Sequence, residues 1–157
     1  MDLTIVIVSF KSGDILHRCI KSIDNKYQII VIENSIDNNL KLELEKKYLN
    51  VNCILPKENL GYGAGNNLGI KEAKTNYVLI LNPDTVLNES TIPNLLKQAE
   101  LIDDFAIMGP KIIENNNEAE ICKEKISEAV EYIKGFAILF NKKKFDKIEY
   151  FDENFFL

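Results

Sequence analysis

The stretch Tyr77-Val78-Leu79-Ile80-Leu81-Asn82-Pro83-Asp84-Thr85 decides the fold. Its first half is an uninterrupted apolar run with branched side chains, the pattern of a strand buried on both faces, and it halts where Pro83 removes a sheet donor. Asp84 then stands just past the carboxyl end of a central strand, where open α/β sheets hold their ligands. A carboxylate there, with the Asn82 amide two residues before it, is a hard-oxygen arrangement suited to Mg²⁺ or Mn²⁺ carrying a substrate diphosphate. The same residues also make a turn in which Asn82 and Asp84 satisfy backbone amides. The stretch by itself leaves both readings open.

Toward the N-terminus the pattern repeats. Leu3 to Val8 is a second branched apolar run, followed by a loop from Ser9 to Asp14 and by Ile15, Leu16, Cys19, Ile20 and Ile23 at helical spacing. Ser12 or Asp14 can cap that helix. Phe10, at the end of the strand, suits either the core or a stack against a nucleobase. His17 lies among charged residues and reads as a solvated surface side chain. Gln28 to Ile32 is the next strand, with Glu33, Asn34, Ser35 and Asp37 at its end. Those groups can cap the following helix, and a carboxylate among them can accept from a pyrimidine N3–H or a ribose hydroxyl. Val51 to Leu55 is a third strand, broken by Pro56. The segment Asn59 to Ile70, with Gly61, Gly63 and Gly65 at alternate positions, reads as a glycine-rich turn entering a helix. Such a turn is a cradle for phosphate or sugar, or a turn with no ligand; it matches neither the Walker loop nor the dinucleotide fingerprint.

Beyond Asp84, Glu89 to Ile102 is helical by pattern, with Ser90 as its cap and Pro93 in its first turn. Phe105 to Met108 is a short strand, Glu114 to Glu118 a polar excursion, and Glu120 to Glu131 a short helix. Tyr132 to Phe140 reads as a strand with Gly135 inside it, where a ligand or another backbone approaches. Lys142, Lys143 and Lys144 read as a solvated turn.

A chain of 157 residues is about one domain, with enough length for a real core. Its formal charge of -5 and pI near 5.0 argue against an autonomous nucleic-acid binder, which needs a concentrated basic face. Cys19, Cys53 and Cys122 are widely spaced and lack a CxxC pair, so they read as buried thiols rather than a disulfide frame or zinc site. The opening residues carry neither a signal-peptide pattern nor a run long enough to span a membrane, which points to the cytoplasm.

Taken together, these strands with polar groups at their carboxyl ends resemble the nucleotide-binding part of family 2 glycosyltransferases with the GT-A fold, especially the rhamnosyltransferase-like branch. The resemblance rests on Val6-Ile7-Val8-Ser9-Phe10, Val31-Ile32-Glu33-Asn34-Ser35, Asn59-Leu60-Gly61 through Asn66-Asn67-Leu68-Gly69, Leu81-Asn82-Pro83-Asp84, and Gly135-Phe136 followed by Phe151-Asp152-Glu153-Asn154-Phe155-Phe156. It implies an α/β fold, a Rossmann-like and mostly parallel sheet flanked by helices, in one GT-A-like domain over 1–157. Residues 1–88 would be the nucleotide-binding part and 89–157 the start of an acceptor-side part.

The implied activity is inverting transfer of a sugar from a UDP- or dTDP-linked donor to a glycan or lipid-linked acceptor in surface polysaccharide synthesis, at the cytoplasmic side and against the inner face of the membrane. On this resemblance Asp84 holds a divalent metal, Mg²⁺ or Mn²⁺. Ser9, Phe10, Glu33, Asn34, Asp37, Gly63, Asn66, Asn67 and Asn82 surround the nucleotide sugar, and Gly135 and Phe136 face the acceptor. Glu33 stands where the family has an aspartate. The family's general base lies in an acidic-aromatic segment just after the Phe-Asp-Glu-x-Phe-Phe stretch, so it is expected beyond Leu157, with Asp152 and Glu153 as lesser candidates. The chain is accordingly expected to be the donor-binding portion of a transferase, inactive in transfer alone; the alternative is a non-catalytic nucleotide-sugar binding module. A sugar nucleotidyltransferase would need an N-terminal basic glycine-rich signature that Leu3 to Asp14 lacks. Phe151, Phe155, Phe156 and Leu157 are expected to leave an apolar surface that favours self-association.

Overall fold

The structure is a computed structural model, and it describes residues 2–102, 104–110, 129–145 and 150–154. The chain runs β1 (Leu3–Ser9), α1 (Gly13–Lys21), β2 (Gln28–Glu33), α2 (Asn38–Lys47), β3 (Val51–Ile54), α3 (Gly61–Glu72), β4 (Tyr77–Leu81), α4 (Thr91–Leu101), β5 (Ile107–Met108), β6 (Ala137–Asn141) and a short α5 (Lys142–Phe145).

The strands form one sheet in the order β3-β2-β1-β4-β6-β5. β1 lies parallel to both β2 and β4, and β2 to β3, whereas β6 runs antiparallel to β4 and β5. The chain therefore builds outward from β1 in one direction through β2 and β3, then returns to add β4 on β1's other side. That reversal is a topological switch point, and it opens a crevice at the carboxyl ends of β1 and β4. Asp84 follows β4 at that edge, as the sequence predicts.

Alternation along the strands divides the core into two clusters. Ile5, Ile7, Ile29, Val31, Leu79 and Leu81 face α1, α2 and α4, meeting Leu16, Cys19, Leu44, Ile92 and Leu95. Val6, Ile30, Ile32, Val78, Ile80, Ile138 and Phe140 face the other way, toward Ile70 of α3, Ala73 just past that helix, and the partly buried Tyr150 and Phe151. Each fully buried aliphatic or aromatic side chain contributes about 1.5–3 kcal/mol relative to exposure, which favours this layered arrangement over any that leaves a face open.

The structure corrects several expectations. The glycine-rich segment is not a turn: α3 begins at Gly61 and carries Gly63, Gly65 and Gly69 in its interior. A Cβ on Gly65 would lie 3.0 Å from Val8 Cγ1, and one on Gly69 only 2.3 Å from Val6 Cγ1. The glycines thus let the helix backbone settle on β1, at a cost of up to about 1 kcal/mol each in helix propensity. β6 begins at Ala137 rather than Tyr132, and Gly135 lies in the turn before it. His17 is not a solvated side chain but a bridge, its side chain only 14% exposed, with Nε2 3.0 Å from Glu43 and Nδ1 3.1 Å from the Tyr48 hydroxyl. Lys142 to Lys144 lie in α5, where the Lys142 ammonium donates to the Ala73 carbonyl at 2.5 Å and Lys144 pairs with Asp104 at 2.6 Å. Phe151 packs inward, its ring 5.9 Å from that of Phe140, so it does not add to an exposed aromatic end.

Cys19 and Cys53 are buried free thiols, as expected. Cys122, the helix expected over 120–131 up to its last residues, and Phe155, Phe156 and Leu157 lie outside the described residues. No helix among the described residues is long and apolar enough to cross a membrane.

Candidate functional site

Four side-chain oxygens among the described residues are buried without a hydrogen-bond partner: Ser9 Oγ, Glu33 Oε2, Asn66 Oδ1 and Asn82 Oδ1. Three of them belong to residues at the carboxyl end of a strand, Ser9 closing β1, Glu33 closing β2 and Asn82 following β4. Leaving such groups unpaired costs about 1–3 kcal/mol each, so their gathering at the crevice edge marks a place where a polar ligand completes the bonding. The fourth, Asn66 Oδ1, lies on α3, where the same side chain's Nδ2 donates to the Tyr62 carbonyl at 3.0 Å.

Ser9 and Glu33 are register partners across β1 and β2, and the chain after β2 is tied back by Asn34 N donating to the Ser9 carbonyl at 2.7 Å. Glu33 is completely buried. Its Oε1 accepts from the Ser35 amide at 2.9 Å and from the Ser35 hydroxyl, which fixes the carboxylate and leaves Oε2 as the open acceptor. Asn34 Nδ2 donates to the Gly61 carbonyl at 3.0 Å, so it ties the end of β2 to the start of α3. Asp37 is the cap of α2, accepting from Asn39 N at 2.9 Å and Leu40 N at 3.2 Å; of the two roles its sequence position allowed, the structure displays capping.

Phe10 is 49% exposed, which removes it from the core and leaves a ring free to stack. The Lys11 ammonium lies 5.2 Å from that ring's centroid, and Lys11 turns through a left-handed φ of 53°. Its amide donates to Ser35 Oγ at 3.3 Å, tying the loops after β1 and β2 together. Between these loops runs an open groove of about 620 Å³ lined by Lys11, Gly13, Ser35, Asp37, Asn39, Leu40 and Glu43. Asp84 is not part of its wall.

The turn carrying Asp84 is held from both sides by contacts that no local sequence signal announces. The Cys19 thiol donates to the Asn82 carbonyl across 3.7 Å. Burial, followed by the Asp84 charge, pushes that thiol's pKa up to about 12. Ser22 Oγ accepts from Leu87 N at 3.0 Å. From the opposite side the Phe136 carbonyl receives Asn82 N at 2.9 Å and the Thr85 hydroxyl at 3.4 Å. Phe136 thus acts here through its backbone. Gly135 offers its carbonyl to the Tyr62 hydroxyl at 2.6 Å.

Asp84 itself is exposed, and the described residues contain no group of three or more His, Cys, Asp or Glu side chains able to cage a metal. A lone exposed carboxylate fits Mg²⁺ or Mn²⁺ only where the ion takes most of its oxygens from a bound phosphate and water, which is the usual way Mg²⁺ is held. A single carboxylate at the end of β4 is compatible with such an ion in that way alone.

Gly63 and Asn67, expected at the nucleotide sugar, meet the C-terminal segment. Gly63 faces the C-terminal segment, a Cβ there lying 3.5 Å from Phe151 Cβ and 3.6 Å from the Asp152 carbonyl. Asn67 bonds that same segment through both ends of its amide. Asp152 Oδ1 accepts from Asn154, and Glu153 Oε1 accepts from Asn67, so both carboxylates already have partners.

Against known proteins, residues 4–155 match the family described as Glycosyl transferase family 2. The chain is 26% identical over 180 aligned residues to the low-salt glycan biosynthesis hexosyltransferase Agl10 of Haloferax volcanii, covering 99% of this chain and 58% of that one. Its fold superposes on Staphylococcus aureus TarS 1-349 in complex with UDP with a TM-score of 0.70 at 16% identity, over 98% of this chain and 51% of the other. A mannosyltransferase from Pyrobaculum calidifontis, PcManGT in complex with GDP-Man and Mn²⁺, gives 0.74 at 12% identity over 97% and 48%. The chain thus spans about half the length of the proteins it matches, and the two structures bear out the α/β, GT-A arrangement. Because the family match runs from β1 to the segment hooked on α3 and takes in nearly every residue, this protein belongs to glycosyl transferase family 2.

Proposed function

We propose that the crevice at the ends of β1, β2 and β4 holds a nucleotide-diphosphate sugar, and that the protein carrying it transfers the sugar, with inversion, to a hydroxyl of a glycan or lipid-linked acceptor. The observation that carries this reading is the set of buried, unpartnered oxygens on Ser9, Glu33, Asn66 and Asn82. A nucleoside supplies N–H and O–H donors to such acceptors, and Phe10 supplies the stacking face. Glu33 Oε2, the open oxygen of that carboxyl, suits an imide N–H of uracil or thymine, or a ribose hydroxyl. The UDP and GDP-Man complexes of the two structural relatives support a donor of this class.

Asp84 would hold Mg²⁺ or Mn²⁺ against the diphosphate. When bound, the ion offsets the charge developing on the departing nucleoside diphosphate. The chain's own contribution is placement: Cys19, Ser22 and Phe136 hold the Asp84 turn, Ser35 orients Glu33, and α3 brings Asn66 to the site. The proton acceptor for the acceptor hydroxyl is a carboxylate beyond Leu157 on this reading, with Asp152 and Glu153, whose Oδ1 and Oε1 already accept from Asn154 and Asn67, as the lesser candidates.

Titration of the chain with UDP-, dTDP- and GDP-linked sugars in Mn²⁺, for the wild type and for Asn66→Ala, tests the reading. Binding of one of the pyrimidine-linked donors, weakened in the variant by about 1–3 kcal/mol through loss of a buried bond, is the expected result. Failure of all of them to bind would overturn it.

A further inference from the structure

Asn67 follows Asn66 directly on α3, yet the two side chains serve different partners. Asn67 is 2% exposed. Its Nδ2 donates to the Phe151 carbonyl at 2.8 Å, and its Oδ1 accepts from the Phe151 amide at 3.0 Å. Nδ2 also donates to Glu153 Oε1 at 2.8 Å. An amide that both gives to and takes from one residue's backbone presents the pair of bonds a neighbouring strand would offer. It also fixes which end of the amide is oxygen, because only one orientation satisfies both Phe151 groups.

The surroundings are shaped for the same contact. Gly63, one turn before Asn67, has no side chain where Phe151 Cβ and the Asp152 carbonyl pass. The Phe151 ring stands edge-on to Tyr62, with centroids 6.1 Å apart, and Tyr62 reaches on to the Gly135 carbonyl. Residues 62, 63 and 67 therefore form one face of α3 that grips residues 151–153 and the turn before β6.

We infer that Asn67 is a positioning residue: it holds the Phe151–Glu153 hook against α3, so that the segment placed on the acceptor side is registered to the helix that also carries Asn66 into the crevice. The acceptor-side meaning of the hook rests on the function proposed above; the hook itself does not. Asn67 accordingly makes no contact with the nucleotide, and Glu153 is a partner of Asn67 rather than a free base. The inference assigns Gly63 to the same hook, as the space that lets it close.

The test uses amide hydrogen exchange of residues 150–154 beside calorimetric titration with UDP in Mn²⁺, on the full chain. In Asn67→Ala the Phe151 amide should exchange about tenfold faster, as loss of its acceptor requires, while UDP affinity stays within about twofold. Glu153→Ala leaves α3 untouched and should speed exchange at 151–154 by a smaller factor, which keeps the inference testable if Asn67→Ala fails to fold. The exchanged pair Asn67→Asp with Glu153→Gln reverses donor and acceptor between the two side chains, and should recover the part of the protection that Asn67→Asp loses through carboxylate repulsion, though not the part that the Phe151 carbonyl loses with its Nδ2 donor. Should Asn67→Ala weaken UDP binding tenfold with Phe151 protection unchanged, Asn67 is a donor contact and the inference is wrong. Absence of UDP binding in the wild type would instead strike the proposed function, while the exchange data would still decide the hook.

Discussion

Gly69 of α3 and Val6 of β1 approach so closely that a Cβ on the glycine would lie 2.3 Å from Val6 Cγ1 and 3.1 Å from Cγ2. Val6 is wholly buried and cannot swing out to solvent. The helix's seat on the sheet is therefore set by two side chains, one of which is absent by necessity.

Gly69→Ala should destabilise the fold by about 1–3 kcal/mol through overpacking, even though alanine improves helix propensity by about 1 kcal/mol. Adding Val6→Ala should return part of that loss, since it removes the methyls in the way. Denaturant midpoints of the two variants check this. A Gly69→Ala variant more stable than the wild type would mean that α3 can lift off β1 freely.

Phe10→Ala should leave stability within about 0.5 kcal/mol, as expected for a surface substitution, and should weaken nucleotide binding by about 1–3 kcal/mol. Thermal melts and titration with UDP separate the two effects. A large loss of stability would place the ring in the core, against its observed exposure.

The thiols predict an alkaline limit. Burial, then the Asp84 charge, raises Cys19 from an ordinary 9.0 to about 12, and burial is likewise the main cause that raises Cys53 to about 12. The unfolded chain thus gives up these protons first. Both thiols support the fold fully below pH 9 and lose that support as pH climbs toward 12, with a limiting slope near 1.4 kcal/mol per pH unit per thiol. Stability measured at pH 8.5 and 10.5 should fall less in Cys19→Ala than in the wild type. Equal falls would show that Cys19 titrates normally.

Much of this architecture was legible in the sequence, for reasons that the exceptions clarify. β1, β2, β3 and β4 announce themselves because parallel strands buried on both faces need unbroken branched apolar runs. Ser9, Glu33, Asn82 and Asp84 were readable as a set because each follows such a run. The glycine segment misleads because glycine disfavours helices intrinsically, and only the contact with Val6 and Val8, distant in sequence, makes a helix the better solution. Tyr132 to Phe136 looks like strand by composition, but β6 begins only where pairing with β4 does, Ala137 opposite Leu81. The partners of Asn67 lie 84 and 86 residues away, so nothing local separates its role from that of Asn66. His17 reads as exposed because Glu43 of α2 and Tyr48 at that helix's C-terminal cap, which enclose it, are distant in sequence.

In the proposed function, Asp84 at the end of β4 secures a nucleoside diphosphate through a divalent ion. Calorimetric titration with UDP, in Mn²⁺ and then in chelator, for the wild type and for Asp84→Asn, tests it most directly. Tight binding is expected only for the wild type in Mn²⁺, with a loss of about tenfold or more on chelation or substitution, as removal of a charge-assisted ligand implies. UDP binding that is indifferent both to chelation and to Asp84→Asn would contradict it.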